Sequence, residues 1–221
     1  MSVEKLGCAL YISPGESVAR LPEDRYIRAE IDGGDADGAQ ALTQAGFFFA
    51  DRTLLTVVPL AKLDERQSRL CRFPVEAEEY TQEVMELAKI AFTADRRFHL
   101  TRRADMEKAA PLIEAWIDRV RMGGRTLMAC RYKGALAGFM FLAPWDDGGS
   151  FAELAAVRPE YQSAGVAFSL YYKTCIYCRE KDDSRLFGRI SSANTAVLNL
   201  YATLGASFSV PYDVYIRERK G

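Results

Sequence analysis

The chain has 221 residues, of which 49% are hydrophobic and 27% are charged, and its formal net charge is −1. These values are typical of a soluble globular protein, and they exclude the basic field that would attract nucleic acid or an anionic membrane. No apolar run approaches the ~20 residues that span a bilayer, and residues 1–8 lack the apolar core of a signal peptide.

The first 75 residues predict a small unit of two strands and one helix. Its pattern places a strand at residues 26–31, a short helix at 36–45 and a second strand at 54–60. Residues 66–73 are then expected to form a linker. We therefore predict two domains, over residues 1–75 and 76–221.

The larger part predicts a mixture of helices and strands. Apolar periodicity places helices at residues 78–92 and 105–122, strands at 125–131, 135–142 and 151–157, a helix at 164–181, a strand at 185–190, a helix from Asn194 and a closing strand at 208–216. Lys133-Gly134 marks a hairpin between the first two of these strands. The order of elements predicts an α/β fold.

The turn between the strand at 151–157 and the next helix has a specific pattern. It contains Gln162, Ser163, Ala164, Gly165, Val166 and Ala167, which read Gln-x-x-Gly-x-Ala. Small side chains stand where a backbone must approach another group closely. Because the N–H groups at a helix N-terminus carry partial positive charge, such a turn can cradle a pyrophosphate.

A second pattern begins at Asn194. Asn194 is a favourable N-cap, Tyr201 follows about two helical turns later on the same face, and Gly205 is a favourable helix stop. Either pattern alone is a weak signal, because short glycine motifs are common. Both patterns in this order, within a strand–turn–helix context, make a strong one.

The two patterns resemble those of the GNAT superfamily of acyl-CoA acetyltransferases. In that family the pyrophosphate loop reads Gln/Arg-x-x-Gly-x-Gly/Ala, and the next helix often carries Asn, Tyr seven residues later and then Leu-Gly. The resemblance implies a GNAT fold, a mixed central sheet with helices on both faces, with acetyl-CoA as co-substrate and no metal. Ser163 departs from the glycine of many relatives, but its hydroxyl can donate a hydrogen bond.

The resemblance also assigns the cofactor site. Backbone groups of Ala155, Ala156 and Val157 are expected to pair with the pantetheine arm as a missing strand would. A bulge at these residues would splay the sheet and supply an oxyanion donor. Residues 162–167, Asn194 and Tyr201 complete the expected acetyl-CoA site.

Tyr201 and Glu153 are the candidate catalytic residues. A phenol with a pKa near ~10 is protonated at neutral pH and can donate to the departing thiolate, which is the role that the resemblance gives Tyr201. Its alternative is a core aromatic residue on an apolar helix face. Glu153 is an acid in an otherwise apolar strand, so we predict a desolvated general base that acts directly or through water. Its alternative is a solvent-facing side chain.

Five cysteines, an odd number without framework spacing, predict reduced thiols and a cytoplasmic location. Cys175 and Cys178 form a C-x-x-C pair, but zinc or redox chemistry would need partners that the sequence does not offer at suitable spacing. We expect both side chains to pack on a buried helix face.

The two-part layout of the chain, a small N-terminal part before a complete C-terminal GNAT-like part, resembles one branch of the superfamily. With Ala91-Phe92, Arg97-Phe98 and Trp116-Ile117, the layout is similar to the dTDP-fucosamine acetyltransferases of cell-surface glycan assembly, which act on dTDP-4-amino-4,6-dideoxygalactose. The N-terminal part is then a truncated GNAT-like subdomain. Arg97 is expected to bind a nucleotide diphosphate and Phe98 to stack on a base or sugar, with a solvated loop as the alternative.

The resulting hypothesis is an N-acetyltransferase that acts on the amine of a nucleotide-linked amino sugar. One alternative is acetylation of another small amine, such as an antibiotic or polyamine. An alternative of a different class is a non-catalytic acyl-CoA sensor that regulates a partner. We expect no nucleic-acid or membrane partner, and the sequence is compatible with a homodimer.

Overall fold

The computed structural model describes residues 5–6, 9–12, 26–92, 106–145, 148–162, 164–209 and 211–217. The strands are β1 (Lys5–Leu6), β2 (Ala9–Ile12), β3 (Tyr26–Asp32), β4 (Phe48–Pro59), β5 (Val75–Glu78), β6 (Thr126–Tyr132), β7 (Ala135–Trp145), β8 (Gly149–Val157), β9 (Arg185–Ser191), β10 (Ser207–Phe208) and β11 (Tyr212–Arg217). The helices are α1 (Ala36–Gln44), α2 (Gln82–Phe92), α3 (Met106–Met122), α4 (Val166–Glu180) and α5 (Thr195–Thr203). None of the helices in these ranges is long and apolar enough to cross a membrane.

The strands form one mixed sheet. Their order is β1-β2-β3-β11-β4-β9-β8-β7-β6-β5, and β10 pairs with β4 beside this path. β2 pairs with β3 in parallel, as β8 does with β9, and the other described pairs are antiparallel. The predicted α/β class and mixed sheet are confirmed.

Helices cover both faces of the sheet, as predicted. On one face, here called the α2–α3 face, Leu87 of α2 and Ile117 of α3 pack in one core with Phe139 of β7. On the opposite α4–α5 face, Leu170 of α4 packs in a second core with Met140 of the same strand. Because successive strand residues point to opposite faces, the continuous apolar run of β7 serves both cores.

The predicted strand–helix–strand unit near the N-terminus is present as β3, α1 and β4. Asp35 caps α1 by accepting a hydrogen bond from the Gly38 N–H at 2.9 Å. β4 begins at Phe48 rather than at residue 54, because its first half pairs with β11 and its second half with β9. The sheet is thus continuous through both parts of the chain, and the domain boundary at residue 75 stays a prediction.

Three predicted segments differ in the structure. The helix expected at 78–92 begins at Gln82, because residues 75–78 form an edge strand against β6. The closing strand expected at 208–216 consists of two pieces, β10 and β11, which both pair with β4. The expected linker at 66–73 contains most of the 3₁₀ turn Glu65–Leu70, and there the Gln67 amide donates to the Thr203 carbonyl at 2.8 Å.

Candidate active site

The parallel strands β8 and β9 separate in the middle of the sheet. They pair only through residues 150–152 and 186–188, and beyond these residues β8 continues to Val157 and β9 to Ser191. In the described part of the chain, no strand fills the gap between them. The edges that face the gap therefore present backbone N–H and C=O groups to a cleft of about 860 Å³.

The cleft collects most of the residues that the sequence assigned to acetyl-CoA. Its walls contain Ala155, Ala156, Val157, Gln162, Gly165, Ala167, Asn194 and Tyr201, together with Glu153. Val166 turns its side chain into the α4–α5 core and Ala164 is exposed, so neither side chain lines the cleft. Ser163, Arg97 and Phe98 lie outside the described residues.

A β-bulge lies where the two strands begin to separate. Phe141 of β7 pairs with Leu154, and the next residue, Leu142, pairs with Ala152, so Glu153 is the extra residue. A bulge bends its strand and increases the local twist, which accounts for the divergence of β8 from β9 after Ala152. The bulge expected at residues 155–157 is wrong in position, since these residues pair regularly with β7.

Glu153 is paired with two arginines. Its carboxylate accepts hydrogen bonds from Arg125 Nε at 2.9 Å and from Arg119 Nη2 at 3.3 Å, and 12% of the side chain is exposed. The apolar, unpaired environment that we expected is therefore not found, because two guanidinium groups compensate the burial of the carboxylate. The role of Glu153 as general base stays a prediction.

The predicted pyrophosphate turn leads directly into α4. Gly165 is the N-cap residue and adopts φ +86°, a left-handed conformation that other residues reach only with strain. No side chain caps this helix end, so its first N–H groups are left for a ligand. A Cβ on Gly165 would meet nothing within 4 Å, which leaves open space at the turn. These features suit a bound anion.

Asn194 and Gly205 bracket α5, as predicted. Asn194 Oδ1 accepts a hydrogen bond from the Val197 N–H at 3.2 Å. Gly205 adopts φ +77°, and the following Ala206 N–H donates to the Tyr201 carbonyl at 3.0 Å, which ends the helix. The two caps fix α5, and with it Tyr201, against the cleft.

The Tyr201 hydroxyl lies at the apex of the cleft. Tyr201 is fully buried, and its ring packs edge-to-face on Tyr171 at a centroid distance of 5.3 Å. A Cβ on Gly188, the last β9 residue paired with β8, would collide with the hydroxyl oxygen. The Thr56 hydroxyl lies beside it and donates its own proton to the Gly188 carbonyl at 3.1 Å. Burial raises the pKa of Tyr201 well above its ordinary value of 10, so the phenol stays protonated. The residue thus has a ring in the core and a protonated hydroxyl at the cleft.

Sequence reasoning missed the wall of the cleft that β9 forms. Arg189 and Ser191 line it, and Phe92 at the end of α2 closes another side. Their exposure to the cleft follows from the pairing of β9 with β4, which lies far earlier in the chain. No local pattern around residue 190 carries that information.

The Cys175 and Cys178 side chains are core residues, as expected. Both lie on the buried side of α4, within the α4–α5 core. Burial raises the pKa of the Cys178 thiol to about 12, and it raises the pKa of the Cys175 thiol as well. Neither thiol forms a reactive thiolate near neutral pH.

The family of the protein follows from this fold and from its sequence. Residues 81–206, more than half of the chain, match the acetyltransferase (GNAT) family. The chain belongs to this family, whose members are acyl-CoA-dependent N-acetyltransferases. The predicted superfamily is therefore confirmed. No curated protein sequence matches the chain significantly.

Solved structures share the fold at low sequence identity. A GCN5-related N-acetyltransferase from Sphaerobacter thermophilus is 13% identical, with a TM-score of 0.62. The match covers 90% of this chain and 62% of that protein, so the chain spans less than two thirds of the length of the Sphaerobacter protein. A GNAT-family protein from Novosphingobium aromaticivorans is 15% identical with a TM-score of 0.61, over 98% of this chain and 86% of that chain. The glucosamine N-acetyltransferase region of a fungal multi-domain β-N-acetylglucosaminidase is 12% identical with a TM-score of 0.62, over 86% and 25% of the respective chains.

Proposed function

We propose that the protein is an N-acetyltransferase that binds acetyl-CoA between β8 and β9 and transfers the acetyl group to a small amine. The observation that carries this proposal is the opening between the two strands, with an uncapped helix N-terminus beside it and the Tyr201 hydroxyl at its apex. An opening flanked by unpaired backbone groups suits the extended pantetheine arm, whose two amides can pair as a strand would.

The cofactor is held in this proposal by backbone groups more than by charged side chains. Ala155, Ala156 and Val157 offer the free edge of β8 to pantetheine, and the N–H groups of residues 165–167 at the start of α4 are offered to the pyrophosphate. Asn194 lines the wall near the start of α5. Small side chains in these segments allow the cofactor to approach the backbone closely.

The transfer needs a neutral amine, a polarised thioester and a proton for the leaving thiolate. The amine nitrogen attacks the thioester carbonyl, the C–N bond forms and the C–S bond breaks. Tyr201 donates its proton to the sulfur, and a proton lost by the nitrogen restores the phenol. CoA therefore leaves as a thiol. The position of the hydroxyl at the cleft apex supports this role.

The acceptor that we propose is a nucleotide-linked amino sugar of the dTDP-4-amino-4,6-dideoxyhexose type, used in cell-surface glycan synthesis. The resemblance of the two-part chain to dTDP-fucosamine acetyltransferases supports it. The fungal structure described above is a glucosamine N-acetyltransferase region, so this fold serves an amino sugar elsewhere. Another small amine or an antibiotic is the alternative acceptor, and a non-catalytic acyl-CoA-binding regulator is the alternative of a different class.

Release of free thiol from acetyl-CoA tests the proposed function. The panel of amines contains dTDP-amino sugars, free amino sugars, polyamines and aminoglycoside antibiotics. We expect the highest kcat/KM with a dTDP-4-amino sugar. A higher value with an antibiotic or polyamine would support the alternative acceptor, and acetyl-CoA binding without thiol release for any amine would support the regulator.

Arg97 and Phe98 are the proposed contacts to the nucleotide. Arg97→Ala should raise the KM for the dTDP-amino sugar and leave acetyl-CoA affinity unchanged, because one charged hydrogen bond contributes about 1.5–3 kcal/mol. The free amino sugar should be a poor substrate, since it lacks the binding energy of the nucleotide. Equal efficiency for the free and the nucleotide-linked sugar would contradict this assignment.

A further inference from the structure

Asp51 and Ser191 form a hydrogen-bonded pair beside the cleft. Ser191 ends β9, is half-buried and lines the cleft wall. Its hydroxyl donates to Asp51 Oδ1 at 2.8 Å and accepts the Ala193 N–H at 3.2 Å. Ser191 Oγ is therefore a fixed polar atom in the cleft wall, and a carboxylate lies directly behind it.

Asp51 is a buried carboxylate with an unused oxygen. It is only 4% exposed, and its Oδ1 also accepts the Arg52 N–H at 2.8 Å, whereas Oδ2 has no hydrogen-bond partner among the described residues. A buried carboxylate oxygen without a donor is costly to the folded state. A proton that arrives through Ser191 during the reaction would neutralise the buried carboxylate, so the cost of burying its charge would fall.

The sheet register places this pair on the α2–α3 face. Ser191 pairs with Thr53, two residues after Asp51 on β4, so all three side chains point to one face. The preceding Ile190 packs on the α4–α5 core, and Ser191 therefore points to the opposite side. Tyr201 reaches the cleft from the α4–α5 face. The proposed proton donor and the Asp51–Ser191 pair thus approach the reacting centre from opposite faces.

Glu153, the other carboxylate of the cleft, is less suited to take a proton. Both of its oxygens accept hydrogen bonds from guanidinium groups, and these two cations already balance its charge. Ser191, by contrast, presents its oxygen to the cleft while its proton is directed at Asp51. A hydroxyl in this orientation can take a proton from a ligand as it passes its own to the carboxylate.

On the basis of the proposed function, we propose that Ser191 contacts the acceptor amine and that Asp51 accepts the amine proton through it. The ammonium group transfers one proton to Ser191 Oγ while the Ser191 hydroxyl proton moves to Asp51 Oδ1, which leaves a neutral amine. The amine attacks the thioester carbonyl, the C–S bond breaks, and the second nitrogen proton replaces the one that Tyr201 gives to the sulfur. Asp51 then returns its proton to solvent, so each turnover releases one proton.

Other charged groups around Asp51 have partners of their own. They form three ion pairs, namely Glu30 with Arg28, Glu30 with Arg189, and Arg52 with Asp213. Glu153 of β8 pairs with Arg119 and Arg125. A change in pH dependence that appears only when Asp51 or Ser191 is replaced therefore reports on this pair.

Asp51→Asn and Ser191→Ala test the assignment through thiol release as a function of pH. Each variant should lose roughly 10²–10⁴-fold in kcat, the range for one general base. The acidic limb of its pH–rate profile should move to the pKa of the free amine, because the variant reacts only with amine that is already neutral. Acetyl-CoA affinity should stay at the wild-type value. Ser191→Ala should lower the melting temperature, because the buried Asp51 carboxylate loses one donor, but the variant should stay folded at the assay temperature. Thr53→Val is the matched control, because it removes a neighbouring buried hydroxyl on the same strand face and should keep the wild-type kcat and pH profile.

The outcomes separate this inference from the proposed function. The probe is the amine of the panel with the fastest turnover. If no amine reacts, the proposed function fails. If an amine reacts, the comparison of the variants decides this inference separately. The assignment is overturned if Ser191→Ala keeps the wild-type kcat and the acidic limb of the pH–rate profile. It is also overturned if Glu153→Gln loses both while Asp51→Asn and Ser191→Ala keep them. A loss of kcat no larger than the fraction of protein that is unfolded at the assay temperature also overturns it. If Asp51→Asn does not fold, Ser191→Ala decides, since it leaves the buried carboxylate in place.

Discussion

Tyr201 combines a ring packed in the core with a hydroxyl at the apex of the cleft. Tyr171 and the α4–α5 core hold the ring, so removal of the hydroxyl leaves the packing in place. Tyr201→Phe should lower kcat by roughly 10²–10⁴-fold, the range for one general acid, with acetyl-CoA affinity unchanged. Thiol-release kinetics and calorimetric titration measure the two quantities. A kcat within a few-fold of wild type would assign thiolate protonation to water or to another group.

The Tyr201 hydroxyl occupies the space that a side chain at Gly188 would fill. A Cβ there would collide with the Tyr201 hydroxyl oxygen and lie 3.0 Å from Tyr201 Cζ and 3.1 Å from Thr56 Oγ1. Gly188→Ala should therefore destabilise the protein by about 1–3 kcal/mol through overpacking. In the double variant with Tyr201→Phe the nearest atom is gone, so part of that loss should be recovered. Unfolding of the four proteins of this cycle measures the coupling, and strictly additive effects would contradict the contact.

At the scale of elements, the turns that border α4 and α5 offer a matched pair of glycines. Gly165 before α4 and Gly205 after α5 both have positive φ and open space around a Cβ position. Valine at either position should cost about 1–2 kcal/mol of unfolding free energy, because the left-handed conformation is strained. Only Gly165→Val should also abolish acetyl-CoA binding, since its side chain would enter the pyrophosphate space. Equal acetyl-CoA affinity of the two variants in calorimetry would contradict the loop assignment.

Elements with a strong local signal were predictable from the sequence. The hairpin at Lys133-Gly134 has φ angles of 50° and 84°, the positive values that a two-residue turn needs. β5 was not predicted, because four residues are too short for their alternation to be distinctive, and the strand is held by pairing with β6 and by packing of Val75 on the α4–α5 core. The bulge at Glu153 was misplaced for a similar reason, since it depends on the register with β7 rather than on the residues around it.

At the scale of the whole molecule, the two sides of the cleft differ in how far their residues are separated in sequence. The cofactor side comes from residues 153–167 and 194–201, two consecutive strand–turn–helix segments whose patterns are local. The opposite side joins β4 to β9, so that Asp51 meets Ser191 across the sheet. Sequence patterns therefore predicted the cofactor residues and gave no sign of the Asp51–Ser191 pair.

Buried thiols make the whole fold sensitive to alkaline pH. Burial raises the pKa of Cys130 to about 11 and the pKa of Cys178 to about 12, from an ordinary value of 9. Above pH 9 the unfolded chain loses these protons while the folded chain keeps them. The unfolded state then binds fewer protons, so stability is complete below about pH 9 and falls as pH rises toward 11 and 12.

Removal of the Cys130 thiol should therefore reduce the alkaline loss of stability. Each such group lowers the unfolding free energy by about 1.4 kcal/mol per pH unit between its unfolded and folded pKa values. Cys130→Ala should be less stable than wild type at neutral pH, because a fully buried side chain is lost, but its stability should fall less between about pH 9 and 11. Cys71→Ala is the control, since this half-buried thiol should affect the slope less. Denaturant unfolding at several pH values measures the slope, and an identical slope in Cys130→Ala and wild type would assign the alkaline sensitivity to other buried groups such as Tyr201.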